Sequence, residues 1–201
     1  MLRIVPLLLA AMTWLAPIGA APGPKERSGE THYFPTVVGS MWVYECDGHE
    51  DTLVVTAAEA KGDATIVSTG RRLGERIKPD ATVAVSADGL AWVSTGAEAY
   101  DPPIRRLRLP LRPGEAWEVE STGPDIHLKG KATAHRPEKV KVPAGEFTAI
   151  RVDLEYTFNG KVNCREQRWY AAGIGEVKSI VELGPGRSAE TVLKAFKYGK
   201  D

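Results

Sequence analysis

The sequence predicts an all-β domain: a single antiparallel curved sheet, a half-barrel or incomplete barrel, with a β-sandwich as the alternative. Three observations carry the prediction. From Thr148 to Phe158 the even positions are Thr148, Ile150, Val152, Leu154, Tyr156 and Phe158, with Ala149, Arg151, Asp153, Glu155 and Thr157 between them. Period-two alternation of this kind marks a half-buried strand. Short apolar segments recur along the chain between turn residues such as Asp47-Gly48, Lys61-Gly62-Asp63, Ala87-Asp88-Gly89 and Asn159-Gly160. No segment beyond residue 21 carries the 3.6-residue apolar period of a helix.

In order, the chain opens with Met1-Leu2-Arg3, an apolar run from Ile4 to Leu15, and the small residues Gly19 and Ala21 where a processing peptidase needs them. Residues 1–21 read as a signal peptide, the run being too short to cross a bilayer as a retained helix. Export follows as the expected fate, to the periplasm or the medium. No cysteine stands near the cleavage site as a lipid attachment point. Residues 22–32 are mostly Pro, Gly and charge, which bury no apolar surface, and read as a flexible lead-in. Residues 33–199 form a single domain, of a size that one core accommodates.

The predicted strands begin with Met41 to Cys46, turning at Asp47-Gly48 into Thr52 to Ala58, then Ala64 to Ser68. Asp80 to Ser86 and Leu90 to Ser94 follow. Asp101-Pro102-Pro103 reads as a connection, with Leu107, Leu109 and Leu111 alternating against Arg106, Arg108 and Pro110 beyond it. Ala116 to Glu120 is next. In Ile126 to His135, Ile126, Leu128, Gly130, Ala132 and Ala134 share one face. After the central hairpin come Glu176 to Leu183 and Thr191 to Tyr198, joined across Gly184-Pro185-Gly186.

A weak internal repeat runs through this order. Phe34-Pro35, Gly39, Trp42 and Glu45 recur 75 residues later as Leu109-Pro110, Gly114, Trp117 and Glu120. Proline sets the entry, glycine allows a tight bend, and tryptophan anchors the strand start in the core.

The central hairpin holds a conflict. Asn159-Gly160 signals a two-residue turn, but that register pairs apolar positions with Asn163, Arg165 and Gln167. A three-residue loop, Phe158-Asn159-Gly160, instead sets Tyr156 opposite Val162 and Leu154 opposite Cys164. Burial outweighs turn statistics, so the three-residue loop is expected. Glu166 and Arg168 then face inward. They are either solvated at an open sheet end or form the polar floor of a cavity.

Taken together, Tyr33-Phe34-Pro35…Gly39…Trp42, Val142-Pro143-Ala144-Gly145-Glu146-Phe147 and Trp169-Tyr170-Ala171…Gly173-Ile174-Gly175 resemble the signatures of an uncharacterised group of exported bacterial β-proteins. The resemblance spans residues 33–198. It implies an envelope or secreted location and an antiparallel, half-barrel fold, and it brings no activity with it. Thr36, Ala172 and Ile174 depart from the group's usual residues.

The function classes narrow by exclusion. With 26 basic and 26 acidic residues, the chain lacks the basic footprint of a nucleic-acid binder. No G-x-S-x-G, H-E-x-x-H, Walker or C-x-x-C motif is present, so no catalytic residues, metal or cofactor are assigned. Cys46 and Cys164, alone in an oxidising compartment, are expected to form a disulfide joining the first strand to the return arm of the hairpin. Glu45 to Asp51 reads as a solvated acidic turn rather than a cation loop. Arg105, Arg106, Arg108 and Arg112 form a basic patch. His127, Lys129, Lys131, His135, Lys139 and Lys141 form an outward stripe, answered across the sheet by Asp153 and Glu155. Trp42, Tyr44, Tyr156, Trp169 and Tyr170, with Glu166 and Arg168, are the candidate ligand-binding residues, although core packing alone accounts for the aromatics. The expectation is a non-enzymatic exported domain that binds an apolar or amphipathic envelope molecule such as a lipid in the sheet concavity. The alternatives are a structural or protein-interaction module and, behind it, a hydrolase using His49 or His127.

Overall fold

The computed structural model describes residues 32–182 and 186–200. The expected signal peptide, nearly all of the expected lead-in and most of the Gly184-Pro185-Gly186 turn lie outside the described residues.

Twelve strands follow one another: β1 (Met41–Cys46), β2 (His49–Lys61), β3 (Ala64–Leu73), β4 (Arg76–Ser86), β5 (Gly89–Thr95), β6 (Glu98–Arg108), β7 (Ala116–Thr122), β8 (His127–Val142), β9 (Gly145–Phe158), β10 (Val162–Ala171), β11 (Gly175–Glu182) and β12 (Ser188–Lys197). Each pairs antiparallel with its sequence neighbours. β1 also pairs with β12, from Met41 opposite Lys197 to Cys46 opposite Thr191. The sheet is therefore a closed barrel, not the expected half-barrel or sandwich. Closure pairs the two edge strands that an open sheet would leave exposed.

The weakest joint is β6–β7, where Asp101 opposite Thr122 is the one register pair among the described residues. Pro102 and Pro103, expected as a connection, lie inside β6 and cannot donate to a ladder. Side chains supply the missing links. The Thr122 hydroxyl donates to the Asp101 carbonyl (3.0 Å), and Trp117 Nε1–H to the Arg105 carbonyl (3.1 Å).

The repeated segment proves to be one device used twice. Gly39 and Gly114 stand at φ +84° and +85°, a region closed to residues with a Cβ except under strain. Each donates its N–H across the barrel wall, Gly39 to Val55 O (2.9 Å) and Gly114 to Ala134 O (2.8 Å). Three residues on, Trp42 and Trp117 are 2% and 5% exposed.

The central hairpin turns through Asn159-Gly160-Lys161, with Phe158 opposite Val162, Tyr156 opposite Cys164 and Leu154 opposite Glu166. The loop has three residues as expected, but the register lies two residues further along. Asn159 and Gly160 both take positive φ, so the Asn-Gly pair keeps its left-handed geometry with Lys161 added. A two-residue slip preserves which face each side chain takes. The even-position rule does break at its start: Thr148 is exposed, while Ala149 and Ile150 are both buried. On the facing strand a bulge between Ala134 and Pro137 shifts the register, and β8 runs on to Val142 instead of ending at His135.

That irregularity lets the β8–β9 hairpin bend over one end of the barrel, where Ala144 donates its N–H to Leu193 O on β12 (3.0 Å). Fully buried Trp42, Leu90, Leu107, Ile174 and Leu193 fill this end. The opposite end, ringed by the β1–β2, β3–β4, β5–β6, β7–β8 and β9–β10 connections, is the mouth.

Candidate functional site: a lumen with a charged floor

Below the mouth the barrel encloses a cavity of about 530 Å³, within the range of small-molecule sites. Its apolar wall includes Leu53, Trp92, Ile126, Leu128, Phe158 and Val181. Strand alternation directs these side chains inward from both halves of the barrel.

The polar floor comes from β6, β10 and β11. Glu166, 4% exposed, receives Arg106 Nη1–H (2.6 Å) and Arg168 Nε–H (2.7 Å) on Oε2, and the Tyr156 hydroxyl (2.7 Å) on Oε1. Arg168 also donates through Nη1 to Glu176 Oε2 (2.6 Å). The Tyr44 hydroxyl donates to the Glu176 carbonyl (2.7 Å). Two guanidinium groups thus meet two carboxylates, all mostly buried, where an unpaired member would be costly.

The proton affinities follow from this arrangement. Burial pushes the Glu166 carboxyl up, but the Arg168 and Arg106 charges and the Tyr156 hydroxyl outweigh it and hold it well below the ordinary carboxylate range. Burial pulls the Arg168 guanidinium down, and Glu176 and Glu166 more than restore it. Burial raises the Tyr44, Tyr156 and Tyr170 phenols, with nearby carboxylate charge adding to it. All three therefore remain hydroxyl donors at neutral pH. A second ionic group stands on the β2–β4 wall, where Arg71 pairs with Asp51 (2.5 Å) and Asp80 (2.9 Å).

Of the expected binding residues, Trp42, Tyr44, Tyr156, Glu166, Arg168 and Tyr170 line the lumen. Trp169 does not. One residue from Tyr170, it points to the outer wall, where its Nε1–H donates to Glu138 Oε1 (2.5 Å) and Lys178 Nζ lies 5.4 Å from the ring centre. The basic patch is also dispersed. Arg106 enters the lumen because register shifts between β5 and β6 disturb the alternation. Arg105 bonds the Asp88 carbonyl, Arg108 pairs with Glu115, and Arg112 is solvent-exposed.

The expected disulfide is not formed: Cys46 and Cys164 are free thiols. Strands β12 and β11 stand between β1 and β10. Three strand spacings amount to on the order of 14 Å, against a Cα reach of about 7 Å for a disulfide. The first strand lies beside β12, not beside the return arm of the hairpin.

Elsewhere charges find partners on the outside. Glu45 and Glu50 pair with Lys194. Along the outward stripe Lys129 meets Glu120, Lys139 meets Glu146 and His135 meets Asp153. His127 also lies beside Glu120 on the outer wall. Trp92, Arg71, Asp80 and Glu176 join the lumen without any signal in the sequence, and Asp51, expected in a solvated acidic turn, instead lies in β2 and lines the lumen beside Arg71. A buried Glu166 does demand a cation, but only its neighbour Arg168 was locally visible as one.

No family model and no curated protein matches the sequence. Comparison with solved structures finds the fold in a protein provisionally described as exported, with a YmcC-like fold, from Bacteroides fragilis (16% identity, 83% of this chain and 99% of that one, TM-score 0.53). It is also found in a protein provisionally described as a lipoprotein, from Parabacteroides distasonis (14% identity, 84% and 99%, TM-score 0.54). At these identities the likeness is one of fold.

Proposed function

We propose that this chain is an exported, non-enzymatic binding protein that holds an amphipathic molecule of the cell envelope inside its barrel. The observation that carries the reading is the lumen itself: about 530 Å³, open at one end, apolar along its wall and polar at its floor. A packed structural module fills such a volume with side chains. Retaining it around a buried ionic network is the arrangement of a site that anchors one end of a ligand and shelters the other. The signal peptide read from residues 1–21 and the exported or lipoprotein descriptions of the two fold neighbours support an envelope or secreted location.

A second reading, a protein-interaction module, draws on the mouth. Leu73 and Ile77, both at the β3–β4 tip, are each about half exposed, a small apolar pair at the mouth that a partner would cover.

Native mass spectrometry of the protein purified from its own envelope separates the two. The binding reading expects a bound amphiphile that leaves on denaturation. Protein that arrives empty, and stays empty when offered envelope lipid extract, refutes it.

A further inference from the structure

The lumen reading leaves the ligand's chemistry open, and the floor narrows it. Resting on that reading, we infer that the ligand is an uncharged amphiphile whose polar end is a carbonyl or hydroxyl oxygen, seated against Arg106 and Tyr170. Two independent features argue this.

The first is hydrogen bonding. Among the described residues, two floor atoms are buried without a partner: Arg106 Nε and Tyr170 Oη. Tyr170 is 0% exposed. The acceptors around them are engaged, Glu166 through both oxygens and Glu176 through Oε2. The unmet need is for an acceptor, since Arg106 Nε–H donates only and the phenol keeps its proton. An unmet buried donor is unfavourable, so an occupant supplying an oxygen is selected. A gap of about 10 Å³ lined by Arg106, Arg168 and Tyr170 together with apolar Ala132, Val152 and Leu154 is at the lower limit for one oxygen atom. An alkylammonium brings no acceptor and leaves both donors unmet.

The second feature is charge. Arg106 and Arg168 are already matched by Glu166 and Glu176. On the wall, Arg71 faces both Asp51 and Asp80. With Arg71 and Asp51 41% and 48% exposed, water screens that group, whereas at the floor two guanidinium groups and two carboxylates balance. A carboxylate or phosphate headgroup would enter as an uncompensated buried anion, which the low-dielectric floor penalises. Neutral oxygen satisfies both constraints, with the tail lying along Leu53, Trp92, Ile126, Leu128 and Phe158 toward the mouth.

The test is a set of fluorescence titrations at neutral pH with decanol, monodecanoylglycerol, decanoate and decylamine, on wild type, Tyr170→Phe and Arg106→Lys. The last variant keeps a cation facing Glu166 while removing the Nε–H. Wild type is expected to bind the two neutral probes at least about tenfold more tightly than either ion. Each variant should lose about 3- to 10-fold for the neutral probes, the equivalent of one hydrogen bond, with little change for the ions. Tightest binding of decanoate or decylamine overturns the inference while leaving the lumen reading intact. So do neutral-probe affinities that neither variant changes. Failure of all four probes to bind overturns the lumen reading itself.

Discussion

Replacing Glu166 by Gln removes one negative charge at nearly constant shape from a position 4% exposed. Arg168 retains Glu176 at 2.6 Å, but Arg106 loses the one carboxylate it meets among the described residues. Breaking a buried pair on one side typically costs about 3–5 kcal/mol, and for a domain of this size each kcal/mol moves Tm by about 2–4 °C. The variant should therefore melt about 6–20 °C lower, and its urea midpoint should fall with the m-value unchanged. The pH dependence gives an internal control. Because Glu166 titrates below its ordinary value of 4.5 in the folded state, its stabilisation is complete above that value and is lost as pH falls through the folded pKa. The gap between wild type and variant should stay constant from pH 7 to about 5 and narrow below about 4.5. A double variant with Arg106→Gln should cost less than the sum of the two singles. A loss under about 1 kcal/mol at pH 7, or a gap that widens on acidification, would refute a buried, ion-paired floor.

Three further outcomes follow from the same geometry. Intact mass under non-reducing conditions should show both thiols as SH, and Cys46→Ser with Cys164→Ser should cost under about 1 kcal/mol, where loss of a native disulfide costs about 2–5. A mass lower by two hydrogens would contradict the strand order. Gly39→Ala and Gly114→Ala should each lower stability by about 1–2 kcal/mol in urea unfolding, because both residues stand at positive φ; neutrality would show that the two bends relax freely. Tyr170→Phe should leave the ligand-free protein as stable as wild type or more so, since it removes an unmet buried donor. A loss above about 1 kcal/mol would mean that the hydroxyl already has a partner.

What could be read from the chain was parity. Alternation set Glu166, Arg168 and Tyr170 facing inward, and that assignment survived a hairpin register two residues from the expected one. Trp169 does not follow its aromatic character into the lumen, because its position next to Tyr170 puts it on the opposite, outer face. Closure was not legible, since it depends on Met41 meeting Lys197 and no local pattern specifies which distant edges pair. Arg106 was hidden within a run of arginines, and register shifts between β5 and β6 turned it inward. The supposed disulfide came from compartment and cysteine count, whereas strand order decided the matter. Proline, glycine and tryptophan, by contrast, stated their local roles directly, as Gly39-to-Trp42 and Gly114-to-Trp117 show.

The most direct measurement of the central claim is quenching of tryptophan fluorescence by a bromine-labelled monoacylglycerol. Trp92 lines the lumen, with the Arg106 guanidinium 5.4 Å from its ring centre, while Trp169 lies on the outer wall. Wild type should be quenched saturably, Trp169→Phe should respond like wild type, and Trp92→Phe should lose a large part of the signal. Quenching that survives in Trp92→Phe and vanishes in Trp169→Phe would put the ligand on the outside of the barrel and contradict the account.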